Sequence, residues 1–383
     1  MEPVLREIRL QNLLSFGPDT PPLELKPLNV LIGPNGSGKS NLLEAIGLLH
    51  AAPRNLSAAV RESGGVLEWL WQGERNPTAT VEAKIHDPEQ PDAPLLHSFS
   101  FAERSRSFFV TAERIEKPGA SEPVYLYEGG KGQIQVLDDL ARKQIPRPPI
   151  STEESILSQR KDPERYPVLS YLSDLYGRFR LYREWSFGRN TPPRQPQKAD
   201  LPSEYLNETC ENLAHVLNGI RPRAKKQILE ALSALYPGIE DYSVQFPTGW
   251  VQLNLEENSF SIPATRLSDG TLRYLCLLAI LCHPEPPPLV CIEEPELGLH
   301  PDVLRTLARL LVDASQRCQL IVTTHSDVLV DNLTSIPDSV VVCEKHHGAS
   351  VMKRLDQQKL HVWLEKYSLG ELWLRGDLGG TRW

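Results

Sequence analysis

Apolar positions along this chain change pattern twice. At the start, "LREIRLQNLLSFG" alternates loosely and predicts a strand followed by a turn. "LNVLI" (28–32) is apolar almost throughout, as a parallel strand buried on both faces would be. Leu42, Leu43, Ile46 and Leu49 then recur at helical spacing. From 78 to about 136 the pattern becomes alternation: "TATVEAKIH", "LLHSFSF" and "SFFVTAERI" predict an antiparallel sheet. Two Pro-rich runs, "IPRPPIS" (145–151) and "GRNTPPRQPQKADLP" (188–202), predict loops or linkers, and 204–235 carries helical spacing.

After 260 the pattern tightens. A helix over about 269–282 is stopped by "HPEPPP". There follow a strand (289–292), a helix (302–315), a strand (319–325), a short helix and a strand (339–344). The tail predicts one or two short helices ending in glycines. This alternation of strands and helices predicts an α/β layer with a mostly parallel sheet. No internal repeat and no sustained heptad is present, so no long coiled coil is expected. The expected organisation is an N-terminal lobe (1–140) with an antiparallel β subdomain, a helical and loop insertion (141–260), and a C-terminal lobe (261–383).

Composition narrows the function classes. The chain has 383 residues, 40% of them hydrophobic, enough for two or three domains of roughly 100–200 residues each. A formal net charge of -8 excludes a strongly basic nucleic-acid coat, though not a local basic patch. The six cysteines form no C-x-x-C pair and mostly sit in apolar runs, so buried free thiols are expected. The N-terminus lacks the apolar core of a signal peptide, and no window reaches ~18 apolar residues, so a cytoplasmic protein without a membrane span is expected.

The strongest chemical signal is the run Gly33, Pro34, Asn35, Gly36, Ser37, Gly38, Lys39, Ser40, with Asn41 after it. It fits G-x-x-x-x-G-K-[ST] and lies between a predicted strand and a predicted helix. Glycines let backbone N–H groups wrap phosphates, and the helix N-terminus adds its positive end. Lys39 would reach the β- and γ-phosphates, and Ser40 would hold Mg²⁺. In "LVCIEEPELGLHP" a buried strand ends in two acids. Glu293 suits a metal-holding role, and Glu294 that of a general base on the attacking water. A second apolar strand ends in His325, which could bond a γ-phosphate or that water. "LSDGTLRY" opens a helix: Ser268, Gly270 and the free N–H groups form either a plain cap or a phosphate-binding turn.

In this order, "GPNGSGKSNLLEAI", "LSDGT", "EEPELGLHP" and "THS" resemble the ABC-type ATPase heads of the SMC, RecF and OLD-like group. The resemblance covers roughly 1–115 and 260–345. It implies an α/β P-loop NTPase of ABC-ATPase-like head type that binds ATP and Mg²⁺ and dimerises around two nucleotides. It further implies that Ser268 and Gly270 act in trans, that Glu294 is the catalytic base and that His325 senses the γ-phosphate. Glu293 stands where aspartate is usual, one methylene longer, and His300 where many relatives have aspartate. Gln72 is a candidate for the Q-loop glutamine. The chain ends 58 residues after His325, at Trp383, too short a stretch for the Toprim nuclease domain of OLD proteins. A nuclease is therefore expected on a separate chain.

Weaker features favour structural readings. "YGRFRLYREWSFGR" (176–189) interleaves arginines with aromatics; inward-packed rings are favoured over a nucleic-acid surface. "RPRAKK" (221–226) predicts a solvated helix start, His346–His347 a turn, and Trp69 and Trp71 packing. The leading function is an ATPase switch near DNA, in repair or antiphage defence, that gates a partner effector, nuclease or toxin-like. A non-hydrolytic ATP-clamped scaffold and a transporter subunit are the alternatives; the latter is disfavoured by the lack of a membrane segment. A GTPase is disfavoured because no N-K-x-D stretch occurs.

Overall fold

The computed structural model describes residues 1–120, 123–128, 133–138, 143–144 and 151–380. Its centre is a six-stranded sheet in the order Arg180–Tyr182, Leu289–Glu293, Gln319–Thr323, Leu28–Ile32, Val340–His346, Ala349–Arg354. The first five strands are parallel, and the last returns antiparallel through a tight hairpin.

The unbroken apolar runs follow from burial on both faces. Side chains alternate sides along a strand, so each run feeds two cores. Val30, Ile32, Val290, Ile292, Leu320 and Val322 enter a core shared with the helices Leu213–Leu235, Asp269–Leu281 and Pro301–Ala314. Leu31, Leu289, Cys291, Ile321, Val341 and Cys343 enter another, shared with the helix Lys39–Ala51 and the antiparallel sheet. Asn29 is the polar exception in "LNVLI". It is fully buried and satisfied: its amide donates to Leu320 O (3.0 Å) and Lys26 O (2.6 Å), and its oxygen accepts from Lys26 N–H (2.9 Å).

Among the described residues the expected antiparallel sheet has eight strands. In spatial order they are Leu23–Glu24, Leu5–Gln11, Ala79–Ile85, Leu95–Arg104, Ser107–Glu116, Tyr125–Glu128, Gln133–Asp138 and Lys143–Gln144. It is tied to the central sheet by the buried Gln319 amide, which accepts from Leu5 N–H (2.9 Å) and donates to Leu5 O (2.8 Å).

The region expected to be helix and loop holds the long helix Leu213–Leu235. It also holds the edge strand Arg180–Tyr182 and two strands of a small antiparallel sheet, Ile239–Gln245 and Trp250–Glu257. Two local readings need correction. "RPRAKK" lies inside the long helix, not at its start, and the helix runs through Pro222. Val216, Leu217, Ile220, Ala224 and Ile228 bury one face, and that packing outweighs the hydrogen bond proline cannot donate. The run 188–202 is not all loop. It contains a 3₁₀ turn, Pro192–Arg194, and a two-residue strand, Gln197–Lys198. Buried Arg194 binds Leu267 O and Asp269 there, anchoring the mouth of "LSDGT". Residues 145–150 of the other Pro-rich run lie outside the described residues.

All six cysteines are buried free thiols. Among the described residues no helix is long and apolar enough to cross a membrane.

Candidate functional site

The strand Leu28–Ile32 ends in the glycine loop, which turns directly into the helix Lys39–Ala51. The loop needs its glycines. Gly33 has φ +146°, and a Cβ there would overlap the carbonyl oxygen of Cys343 on the neighbouring strand. Gly38 has φ +99°, and a Cβ there would overlap the Ser350 hydroxyl. A Gly33→Ala variant should therefore lose about 1–3 kcal/mol of stability, read by chemical denaturation, along with nucleotide binding. Wild-type stability in that variant would show that the loop is not held in this conformation.

Lys39 is buried, and its ammonium donates to Gly33 O (2.8 Å) and Pro34 O (3.0 Å). Burial lowers its pKa from the ordinary lysine value. Ser37 Oγ is buried with no partner in the described chain, a donor left over in a loop shaped for an anion. The Asn41 amide donates to Ser15 Oγ (2.7 Å), and Ser350 Oγ bonds the same hydroxyl (2.6 Å).

Three adjacent parallel strands bring the predicted acids and histidine to this loop. The Ser40 hydroxyl donates to Glu293 Oε1, across 253 residues of sequence. Arg183 Nε donates to the other oxygen of Glu293 (3.3 Å), while its Nη2 reaches Glu44 Oε1 (2.8 Å). Trp185 Nε1 donates to Glu293 O (3.1 Å).

Glu294 occupies a left-handed backbone conformation, φ +45°, rare for a residue with a side chain. It is held there from both sides. Its N–H donates to Thr323 O (3.1 Å), and its carbonyl accepts from Arg273 Nη2 (2.6 Å). The Arg273 guanidinium lies over the Trp185 ring, 4.9 Å from its centre. This backbone turn aims the Glu294 carboxylate at His325, whose Nε2 lies 3.5 Å from Glu294 Oε1.

Glu296 completes the corner. Its Oε1 accepts from the Thr324 hydroxyl and from His325 N–H, both at 2.7 Å. Burial pushes its carboxyl above the ordinary glutamate range. Arg183, Trp185, Arg273 and Glu296 were not legible as site residues. The signal nearest to them was the arginine–aromatic run 176–189, whose rings do pack inward: Tyr176, Phe179, Tyr182 and Phe187 are buried.

Ser268 caps its helix, accepting from Thr271 N–H (3.1 Å). Gly270 packs so closely on Gly298 O that a Cβ would lie 2.6 Å from that oxygen. The helix these residues open belongs to the core on one face of the central sheet; the helix after the glycine loop belongs to the other. His300 caps the helix Pro301–Ala314, accepting from Asp302 N–H (3.3 Å). A cleft of about 560 Å³ opens beside the glycine loop, lined by Ser15, Asn41, Trp71, Gln72, Lys345 and His347 among others. The Gln72 amide donates to Leu67 O (3.0 Å) and Leu70 O (3.1 Å). Trp69 is a packing residue, as expected; the Trp71 ring packs against Gly73 and Gly17 and also lines this cleft.

The donor set fits Mg²⁺. Ser40 and Glu293 offer hard oxygens already in contact. No group of three or more His, Cys, Asp or Glu among the described residues could hold a metal alone. Mg²⁺ needs no such cage, since it is bound through one or two protein ligands and completes its shell with phosphate and water.

The comparisons with known proteins agree with this geometry. The family described as "AAA domain, putative AbiEii toxin, Type IV TA system" matches residues 28–331. The chain is 23% identical over 325 residues to the OLD nuclease of Thermus scotoductus (strain ATCC 700910 / SA-01). That match covers 81% of this chain and 57% of the relative, so the chain spans little more than half the relative's length. An SMC head bound to the C-winged helix domain of ScpA superposes with TM-score 0.57 at 15% identity, over 93% of this chain and 99% of that one. An SMC head with an extended coiled coil, bound to the C-terminal domain of ScpA and derived from Pyrococcus furiosus, gives TM-score 0.56 at 15% identity, over 95% and 99%. The glycine loop, the strand order and the family match across most of the chain lead to one conclusion: this protein belongs to that AAA-domain family and is a P-loop ATPase-type protein with the fold of an SMC/OLD-like ABC-ATPase head.

Proposed function

We propose that the chain hydrolyses ATP with Mg²⁺, closing on a second copy of itself in a dimer or higher oligomer and reopening after turnover. The observation that carries this reading is the convergence of Ser40, at the start of the helix after the glycine loop, with Glu293, Glu294 and His325 at or just past the ends of adjacent parallel strands. In this reading the loop N–H groups hold the phosphates, and Lys39 exchanges its two carbonyl partners for phosphate oxygens. Ser40 and Glu293 hold the metal, which supplies positive charge against the phosphates. Glu294 takes the proton of the attacking water, and His325 links that base to the γ-phosphate. The cleft beside the loop has the size to take the nucleoside, with Trp71 and Asn41 on its wall.

Ser268 and Gly270 serve the nucleotide of the second copy. Support comes from the two cores: the helix they open and the helix after the glycine loop pack on opposite faces of the sheet. The likeness to an OLD nuclease supports an assignment to DNA repair or antiphage defence, with a nuclease or toxin-like effector gated by the ATP cycle and DNA as a ligand.

Complementation tests the trans arrangement. Lys39→Ala disables one chain's loop, while Ser268→Asp keeps the helix cap but faces the phosphate with negative charge. Each variant alone should be inactive. An equal mixture should recover about a quarter of wild-type turnover, since half the dimers are mixed and each has one intact site. No recovery in a mixture shown to form mixed dimers would rule out sharing of the site.

A further inference from the structure

We propose that Arg183 sets the metal preference of this site, by holding Glu293 to one metal-facing oxygen so that magnesium is accepted and calcium disfavoured. The inference rests on the reading of Ser40 and Glu293 as the metal ligands.

The register delivers the arginine. Tyr182 pairs with Ile292 in the parallel ladder, so Arg183, just past the end of its strand, and Glu293, the last residue of its own, leave the sheet side by side. Glu44 joins them from the helix Lys39–Ala51. It lies four residues after Ser40, and so on the same helix face. The guanidinium forks across the two acids, Nε to Glu293 Oε2 at 3.3 Å and Nη2 to Glu44 Oε1 at 2.8 Å. Glu293 Oε1 is left to the Ser40 hydroxyl. The arginine side chain is 30% exposed, so the fork is a feature of the site and not of the deep core.

A glutamate has one more torsion than an aspartate. Unclamped, it can turn both oxygens toward one cation, and Glu44, released from the same guanidinium, is free to join it. Calcium takes about six to eight oxygens and accepts bidentate carboxylates, whereas magnesium demands a tight octahedron and keeps its waters. By occupying Glu293 Oε2 and Glu44 Oε1, Arg183 withholds the oxygens that only the larger ion would use.

The test is Mn²⁺ binding to the protein loaded with a non-hydrolysable ATP analogue. Electron paramagnetic resonance follows its displacement by Mg²⁺ and by Ca²⁺, with circular dichroism as the folding control. Losing a partner that orients a metal ligand changes metal affinity about 10–100-fold; because the freed oxygens serve only the larger ion, in Arg183→Gln the Mg²⁺-over-Ca²⁺ preference should fall about tenfold. Arg183→Lys keeps the charge but not the fork, and should fall between. Adding Glu44→Gln to Arg183→Gln should take back part of the gained Ca²⁺ affinity. An unchanged preference in Arg183→Gln, or equal losses for both ions, overturns the proposal. Mn²⁺ affinity indifferent to Glu293→Gln overturns the ligand reading itself, an outcome the Arg183 variants do not produce.

Discussion

A Lys39→Ala variant should lose ATP, with Kd raised about 100-fold or more in calorimetric titration. Each hydrogen bond from a charged group to a phosphate is worth about 1.5–3 kcal/mol, and alanine removes the donor outright. The structure shows why the loss should appear in binding more than in folding. Lys39 spends its ammonium on Gly33 O and Pro34 O, two carbonyls of the loop it belongs to. Burial disfavours its charge in this arrangement. Incoming phosphates bring negative charge directly onto that buried cation, beyond the attraction of Glu294, Glu293 and Glu296, so binding gains charge-assisted hydrogen bonds. Thermal stability without nucleotide should change little, because the strand and helix that hold the loop remain packed. An affinity within threefold of wild type would remove Lys39 from the phosphate site.

Glu294→Gln should separate binding from chemistry. ATP affinity should stay near wild type while turnover falls about 10²–10⁴-fold, the usual contribution of a positioned general base. Glutamine keeps the size of the side chain. It also keeps the two backbone contacts that hold the φ +45° turn, Glu294 N–H to Thr323 O and Arg273 to Glu294 O. What it loses is the carboxylate facing His325 at 3.5 Å. ATP-bound dimers should therefore persist, visible as a longer-lived dimer peak in size-exclusion chromatography. Undiminished hydrolysis would exclude Glu294 as the base. A wild-type protein that dimerises on ATP without hydrolysing it would instead favour a non-hydrolytic clamp.

Much of the site was legible because it is local. The glycine loop is one contiguous turn, and a strand before it with a helix after it can be read from spacing alone. The acid pair and His325 sit at the ends of apolar runs, where the chain must leave the sheet. Arg183, Trp185 and Arg273 carried no such mark. In sequence Arg183 lies 110 residues from Glu293 and Arg273 lies 21 from Glu294. Glu296 lay inside a motif already assigned to its neighbours, and only its bonds to Thr324 and His325 show what it holds. "RPRAKK" misled because a proline within a basic run reads as a helix boundary, while the apolar residues that keep the helix going lie on the other face.

The amino-acid order alone determined which segments are strands buried on both sides, where the phosphate loop lies, and which acids end a strand. These follow from side-chain periodicity and backbone freedom over a few neighbouring residues. The tertiary structure decided strand order, and with it the neighbours of each strand end. Leu28–Ile32 lies beside Gln319–Thr323, and Leu289–Glu293 lies between that strand and the edge strand leading to Arg183. No pattern along one strand encodes its lateral neighbours, because apolar strands of similar length can exchange places with little change in local energy. Packing of two different cores on the two faces selects one order, and that order sets Arg183 against Glu293.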